Sequence, residues 1–196
     1  MMLDSLEIIL EEQNAPVLKY LQHGLKKDYI IGKSKQLNIA FPEELLKLYE
    51  WHNGTKWEKV KLGLLWLFPG GMFFSLETAF EIYSTRVNKD DFWKNNMFPA
   101  FGDGGGDYYL MDLDINSPNY KMIFYYSPGD TSFDLAISIF DSLQLCLKTI
   151  LECYKQKAYT YFVDPDNDRI ISLDEGDFFQ KISKDLNPKS DYWSLP

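Results

Sequence analysis

Phe98-Pro99-Ala100-Phe101-Gly102-Asp103-Gly104-Gly105-Gly106-Asp107-Tyr108-Tyr109-Leu110-Met111-Asp112-Leu113 holds two aromatic-rich, strand-like runs joined by four glycines and two aspartates. Glycine reaches positive φ without a Cβ penalty, so a cluster of this kind marks a sharply folded backbone. The pattern predicts an antiparallel pair, Met97 to Phe101 against Tyr108 to Leu113, with Gly102, Gly104, Gly105 and Gly106 shaping the turn. Residue type argues against a phosphate-cradling loop. No Lys-Ser/Thr pair follows the glycines, no G-x-G-x-x-G opens a helix, and two carboxylates repel a phosphate.

Upstream, Phe41-Pro42-Glu43-Glu44-Leu45-Leu46-Lys47-Leu48-Tyr49-Glu50-Trp51-His52-Asn53-Gly54 reads as a punctuated helix. Pro42 suits its first turn, Glu43 and Glu44 the positive dipole end, and Asn53-Gly54 a left-handed exit. His52, on the apolar side, reads as a hydrogen-bonded rim histidine rather than a ligand. Earlier, Leu3 to Gln13 predicts a first helix, and Leu18, Leu21 and Leu25 keep helical spacing until Gly32 ends the pattern. Lys26, Lys27, Lys33 and Lys35 form a solvated basic cluster. Strands are expected at Leu62 to Phe68 and Met72 to Phe74, followed by a helix capped by Ser75.

Downstream, a strand is expected from Lys121 to Tyr126 and the longest helix from Phe140 to Lys155, its buried stripe being Phe140, Leu143, Leu147, Ile150, Leu151 and Tyr154. A strand (Ala158 to Val163), an acidic turn, a short strand at Ile170-Ile171 and a helix near Gly176 to Lys184 close the chain. Helices, then a meander, then helices predict an α+β fold: a mainly antiparallel sheet of about five or six strands covered by helices.

Composition narrows the function. The 196 residues carry 13 Tyr, 14 Phe and 5 Trp, an aromatic surplus suited to a sheet and to interfaces. The net charge of −9 disfavours nucleic acid and anionic membranes as partners and suits steering toward a basic protein. Cys146 and Cys153 lie roughly 10 Å apart on one helix, too far for a disulfide, and read as buried apolar groups in a reducing compartment. The acidic N-terminus lacks the pattern of a signal peptide, and no apolar run approaches the length of a membrane span. The expected location is cytoplasmic.

Three blocks in order carry a resemblance: the Phe41-Pro42-Glu43-Glu44 helix with Asn53-Gly54, the strand–turn–strand from Phe98-Pro99 to Tyr108-Tyr109, and Ile137-Ser138-Ile139-Phe140-Asp141-Ser142-Leu143. Together the chain resembles the SUKH superfamily, also called the SMI/KNR family after fungal cell-wall-synthesis regulators. The match runs over about residues 37–154. A single SUKH-like domain is expected over 1–196, with a helical N-terminal extension (1–36) and a strand–turn–strand–helix C-terminal extension (155–196). The Asn187-to-Trp193 tail resembles extensions on some bacterial members. The resemblance implies a non-enzymatic, partner-binding role. Bacterial members largely resemble immunity proteins that neutralise polymorphic toxins, often nucleases, and the fungal ones imply a regulator or scaffold in cell-wall synthesis or signalling.

Candidate sites follow from the same residues. The family offers no catalytic motif to carry over, so no catalytic residue, metal or cofactor is assigned. Asp103 and Asp107 could share a proton or metal as a hydrolytic pair, or one could cap the turn while the other is solvated. Asp164-Pro165-Asp166-Asn167-Asp168-Arg169-Ile170-Ile171-Ser172-Leu173-Asp174-Glu175 places oxygens at calcium-loop positions, but Arg169 stands where such a loop needs glycine and the preceding run is β-like. The expected anchors for a basic protein partner are Asp103, Asp107, Asp130, Asp134 and Trp51, with Trp51 also readable as core.

Overall fold

The structure, a computed structural model, describes residues 2–89, 92–93, 96–163, 171–175 and 178–195, with backbone alone at 162–163 and 171–175. The chain opens with α1 (Met2–Glu12), which buries Leu6, Ile9 and Leu10, as its apolar spacing requires. Next come a 3-10 turn (Pro16–Lys19), β1 (Leu21–His23) and α2 (Lys27–Gln36). The expected stop at Gly32 does not occur: α2 runs through it, and Leu21 lies in a strand. A Cβ at Gly32 would meet nothing within 4 Å, so this glycine only lowers helix propensity.

α3 (Glu43–Trp51) ends before Asn53, and β2 (His52–Thr55) takes up Asn53 and Gly54. The predicted exit through Asn53-Gly54 is therefore corrected. His52 leaves the helix in an extended conformation, and Gly54 (φ 65) serves a close backbone approach, since a Cβ there would lie 2.2 Å from the Phe74 carbonyl carbon. The Asn53 side chain instead works on the next helix. Its Oδ1 accepts the Leu76 N–H at 2.8 Å, and its Nδ2 donates to Glu77 Oε2 at 3.1 Å. That helix, α4 (Leu76–Arg86), also has the expected Ser75 cap, with Oγ accepting the Thr78 N–H at 3.1 Å.

Six antiparallel strands form the main sheet in chain order: β3 (Trp66–Phe68), β4 (Gly71–Phe73), β5 (Met97–Gly102), β6 (Tyr108–Asp112), β7 (Ile123–Tyr126) and β8 (Ala136–Phe140). The glycine-rich hairpin pairs as expected, from Met97 opposite Asp112 to Gly102 opposite Tyr108. β8 departs from expectation. Phe140 ends this strand rather than starting a helix, and α5 (Leu143–Lys155) begins after Ser142, whose Oγ accepts the Leu145 N–H at 3.1 Å. The β-branched Ile137 and Ile139 favour the strand, and the serine cap stops helix from extending backwards.

Period-two alternation sends the sheet's side chains to two cores. Tyr109, Met111 and Ile123 join the main core with α1, α3 and α5. Leu110 and Tyr126 form a smaller core with Met97 and a fully buried Trp93, whose Nε1 donates to the Met97 carbonyl at 2.9 Å. β9 (Tyr159–Val163) and β10 (Ile171–Glu175) make a separate antiparallel pair before α6 (Phe179–Leu186). Residues 164–170, the first seven of the twelve-residue stretch weighed for calcium binding, lie outside the described residues. Both cysteines are buried and neither is in a disulfide, and burial pushes the Cys146 thiol well up. Among the described residues, no helix is long and apolar enough to cross a membrane.

Candidate protein-binding rim

Antiparallel order sets the site. The β3–β4, β5–β6 and β7–β8 connections all emerge at one end of the sheet, because Met72 pairs with Gly102, Gly102 with Tyr108, Tyr108 with Tyr126, and Tyr126 with Ala136. The loops at Pro69-Gly70, 103–107 and 127–135 thus share a rim. Tyr109 ties the first of these loops to the sheet, its hydroxyl 3.5 Å from the Pro69 carbonyl.

Asp103 caps the glycine turn. Its Oδ1 accepts the N–H groups of Gly105 (2.7 Å), Gly106 (3.0 Å) and Asp107 (2.9 Å), and its backbone N–H donates to the Asp107 carbonyl at 3.1 Å. Three converging donors make a short side chain the organiser of a loop that cannot pair as a strand. Gly104 sits at φ 85. Trp66 fastens the turn from outside, with Nε1 donating to the Asp103 carbonyl at 3.1 Å.

Asp107 points elsewhere. Its Oδ2 accepts the Tyr125 hydroxyl at 2.7 Å. Burial first, and then this bond, push the Tyr125 phenol well above its ordinary range. The Tyr125 ring meets Phe133 at 6.0 Å and Tyr192 at 5.9 Å, so the same residue holds the 127–135 loop beside the glycine turn. In that loop Asp130 Oδ1 accepts the Ser132 hydroxyl (2.6 Å) and N–H (2.8 Å), which hold its carboxyl below the usual range. Asp130 and Asp134 are exposed. The structure therefore gathers Asp103, Asp107, Asp130 and Asp134 on two neighbouring loops that contain no Lys or Arg.

Trp51 is placed apart from them. It is half-buried at the end of α3, edge-on to His52 at 4.4 Å between ring centres. His52 is the expected hydrogen-bonded rim histidine, its Nδ1 2.8 Å from the Gln22 carbonyl and its Nε2 3.0 Å from Glu7 Oε2. Besides Trp66, a second tryptophan stands beside the glycine turn: Trp57, which is 59% exposed. A Cβ on Gly104 would lie 3.4 Å from Trp57 Cη2 and 3.0 Å from Leu62 Cδ2. Sequence reasoning passed over Trp57, although its setting in Lys56-Trp57-Glu58-Lys59 was a signal, since a lone indole among charged residues has little core to enter. Lys56 is paired with Glu58 at 2.7 Å.

The geometry does not make Asp103 and Asp107 a shared pair. One spends Oδ1 on three amides and the other accepts a phenol, so of the two expected roles Asp103 takes the cap, and Asp107 holds a tyrosine rather than only water. Among the described residues, no group of three His, Cys, Asp or Glu side chains is placed to hold a metal ion. The arrangement offers a shaped, acidic, aromatic-edged surface. No curated protein matches the chain. A family model does, the SMI1 / KNR4 family (SUKH-1), over residues 24–148. That span takes in α2, α3 and the whole six-stranded sheet with its loop rim, and the chain belongs to the SMI1 / KNR4 family (SUKH-1).

Proposed function

We propose that this chain is a non-enzymatic, cytoplasmic protein-binding module of the immunity type, which neutralises a polymorphic toxin by seating the acidic loop rim against the toxin's basic face. The observation that carries the reading is the convergence of Asp103, Asp107, Asp130 and Asp134 on two adjoining loops with the exposed Trp57 alongside. A nuclease toxin needs a basic groove for its phosphate substrate. An acidic surface fits that groove, competes with the nucleic acid, and associates quickly through electrostatic steering. The exposed carboxylates Asp130 and Asp134 set the rate of encounter, and Trp57 supplies apolar area that slows dissociation once water is excluded.

Co-expression with the C-terminal domain of a toxin encoded beside the gene tests this reading. Growth is restored by the wild-type chain and lost with Trp57→Ala combined with Asp130→Asn and Asp134→Asn. Rescue that survives those three changes would move the binding face elsewhere. A native partner drawn from cell-wall synthesis, with no toxin neutralised, would replace the immunity reading with the regulatory one.

A further inference from the structure

β8 is a terminal strand of the six-stranded sheet, and its ladder is formed with β7. Its sequence, Ala136-Ile137-Ser138-Ile139-Phe140, has no charge and no proline, two of the devices that keep an edge from pairing with another chain, although a register shift between Ser138 and Phe140 interrupts its ladder with β7. The other edge strand, β3, is three residues long, is followed by Pro69, and has its Leu67 carbonyl covered by the Tyr154 hydroxyl at 3.0 Å.

The protection of β8 comes from the C-terminal segment 187–195, and it comes through side chains. Ser190 Oγ donates to the Ser138 carbonyl at 2.7 Å, and Trp193 Nε1 donates to the Ile139 carbonyl at 2.7 Å. Asn187 Oδ1 accepts the Asp141 N–H at 3.1 Å. Ser138 Oγ accepts the Asp191 N–H at 2.9 Å and donates to Asp191 Oδ2 at 2.9 Å. The segment's own backbone is folded into turns, with Ser190 N–H to Asn187, Ser194 N–H to Asp191 and Leu195 N–H to Tyr192. Two pockets border it: one of about 300 Å³ against Lys189 and Asp191, and one of about 700 Å³ against Tyr192, Trp193 and Leu195.

We infer that segment 187–195 is a latch over a strand-pairing edge, and that β8 of a second copy of this chain takes that edge when the latch is released. A strand pairs antiparallel with its own copy about a twofold axis. Centred on Ile137, ahead of the register shift, that pairing sets Ala136 against Ser138 and closes at two copies, so no free β8 edge remains. The uncharged strand puts no like-charge pair across such a junction, even though each chain is strongly acidic. Side-chain hydrogen bonds with cavities beside them can be withdrawn one at a time, whereas a seventh strand would have to unzip. The latch keeps the chain a monomer through competition, not through the chemistry of the edge.

Sedimentation of the full-length chain tests this. The variant Ser190→Ala/Asp191→Ala/Trp193→Phe removes the hydrogen bonds those three side chains make to β8 and keeps an aromatic ring against Phe140. It is expected to dimerise at least ~tenfold more tightly than wild type. Adding Ala136→Lys, which places a charge on the edge, is expected to return it to monomer. A folded triple variant that sediments as wild type does, or a dimer indifferent to Ala136→Lys, overturns the proposal. Should the triple variant fail to fold, Trp193→Phe alone is expected to shift the same equilibrium in the same direction by a smaller step, and no shift there is equally contrary.

Discussion

Tyr125 donates its phenolic hydrogen to Asp107 Oδ2 across 2.7 Å, and this bond joins the glycine turn to β7, 18 residues further along the chain, just before the 127–135 loop opens. Without it the glycine turn would keep its own hairpin and the Trp66 bond, and the 127–135 loop its own hairpin and the Phe133 ring contact, with no hydrogen bond from β7 to the turn. With it, a residue of β7 sets their spacing, and the proposed binding face of loops gains the rigidity of the sheet beneath.

Tyr125→Phe removes the hydroxyl and keeps the ring contacts. A hydrogen bond to a charged acceptor contributes about 1.5–3 kcal/mol, so unfolding in denaturant is expected to show a loss toward the lower end of that range, Asp107 being able to turn to water. Partner affinity should fall further than stability alone explains, through a faster off-rate.

Asp103→Ala leaves three turn N–H groups without their acceptor, and a loss of about 1–3 kcal/mol is expected. Asp103→Asn keeps a carbonyl oxygen for the same amides and should recover most of that loss while removing a rim charge. Thermal denaturation separates the two. Equal destabilisation by both substitutions would mean that charge, not the cap, organises the turn.

Asn53→Ala breaks a buried cap on α4 and the bond that helps order Glu77. Burial opposes the Glu77 charge, but the hydrogen bonds from Asn53 and Tyr29 prevail and hold its carboxyl below the usual range. A loss of about 1–2 kcal/mol is expected, with hydrogen exchange rising first in the opening turn of α4.

Alkaline pH should unfold the protein through its tyrosines. Burial pushes the phenols of Tyr49, Tyr125, Tyr154 and Tyr159 well up, and Tyr161 up to about 12, where the Tyr154 bond partly offsets its burial. Each of these folded-state values exceeds the unfolded one near 10. Their contribution is therefore complete below about pH 10 and disappears as pH rises through the folded values. An ultraviolet titration should show these phenols ionising late and together with loss of secondary structure. Ordinary ionisation near pH 10 in a folded chain would refute the burial described.

Much of the fold was legible because local signals agreed with it. The glycine hairpin, the Ser75 cap and the α5 stripe each combined periodicity with punctuation. β8 was missed because Ile137, Ile139, Phe140 and Leu143 mix both periods, and only Ser142 marks where the helix starts. The left-handed exit assigned to Asn53-Gly54 failed because Gly54 answers to Phe74, which is distant in sequence. In the site, the carboxylates were readable as turn residues, but their neighbourhood was not. The Tyr125–Asp107 bond and the place of Trp57 against Gly104 exist only once register brings the loops together.

The central proposal, that the chain acts by presenting an acidic rim to a basic partner, is tested most directly by the association rate with the C-terminal domain of the toxin proposed as its partner, as salt is varied. The account predicts a rate that falls steeply between low and physiological ionic strength. Asp130→Asn/Asp134→Asn should slow association about tenfold at low salt and little at high salt, Trp57→Ala should act on dissociation, and Trp51→Ala should act on stability alone. A rate independent of salt and unchanged by the aspartate substitutions would contradict it.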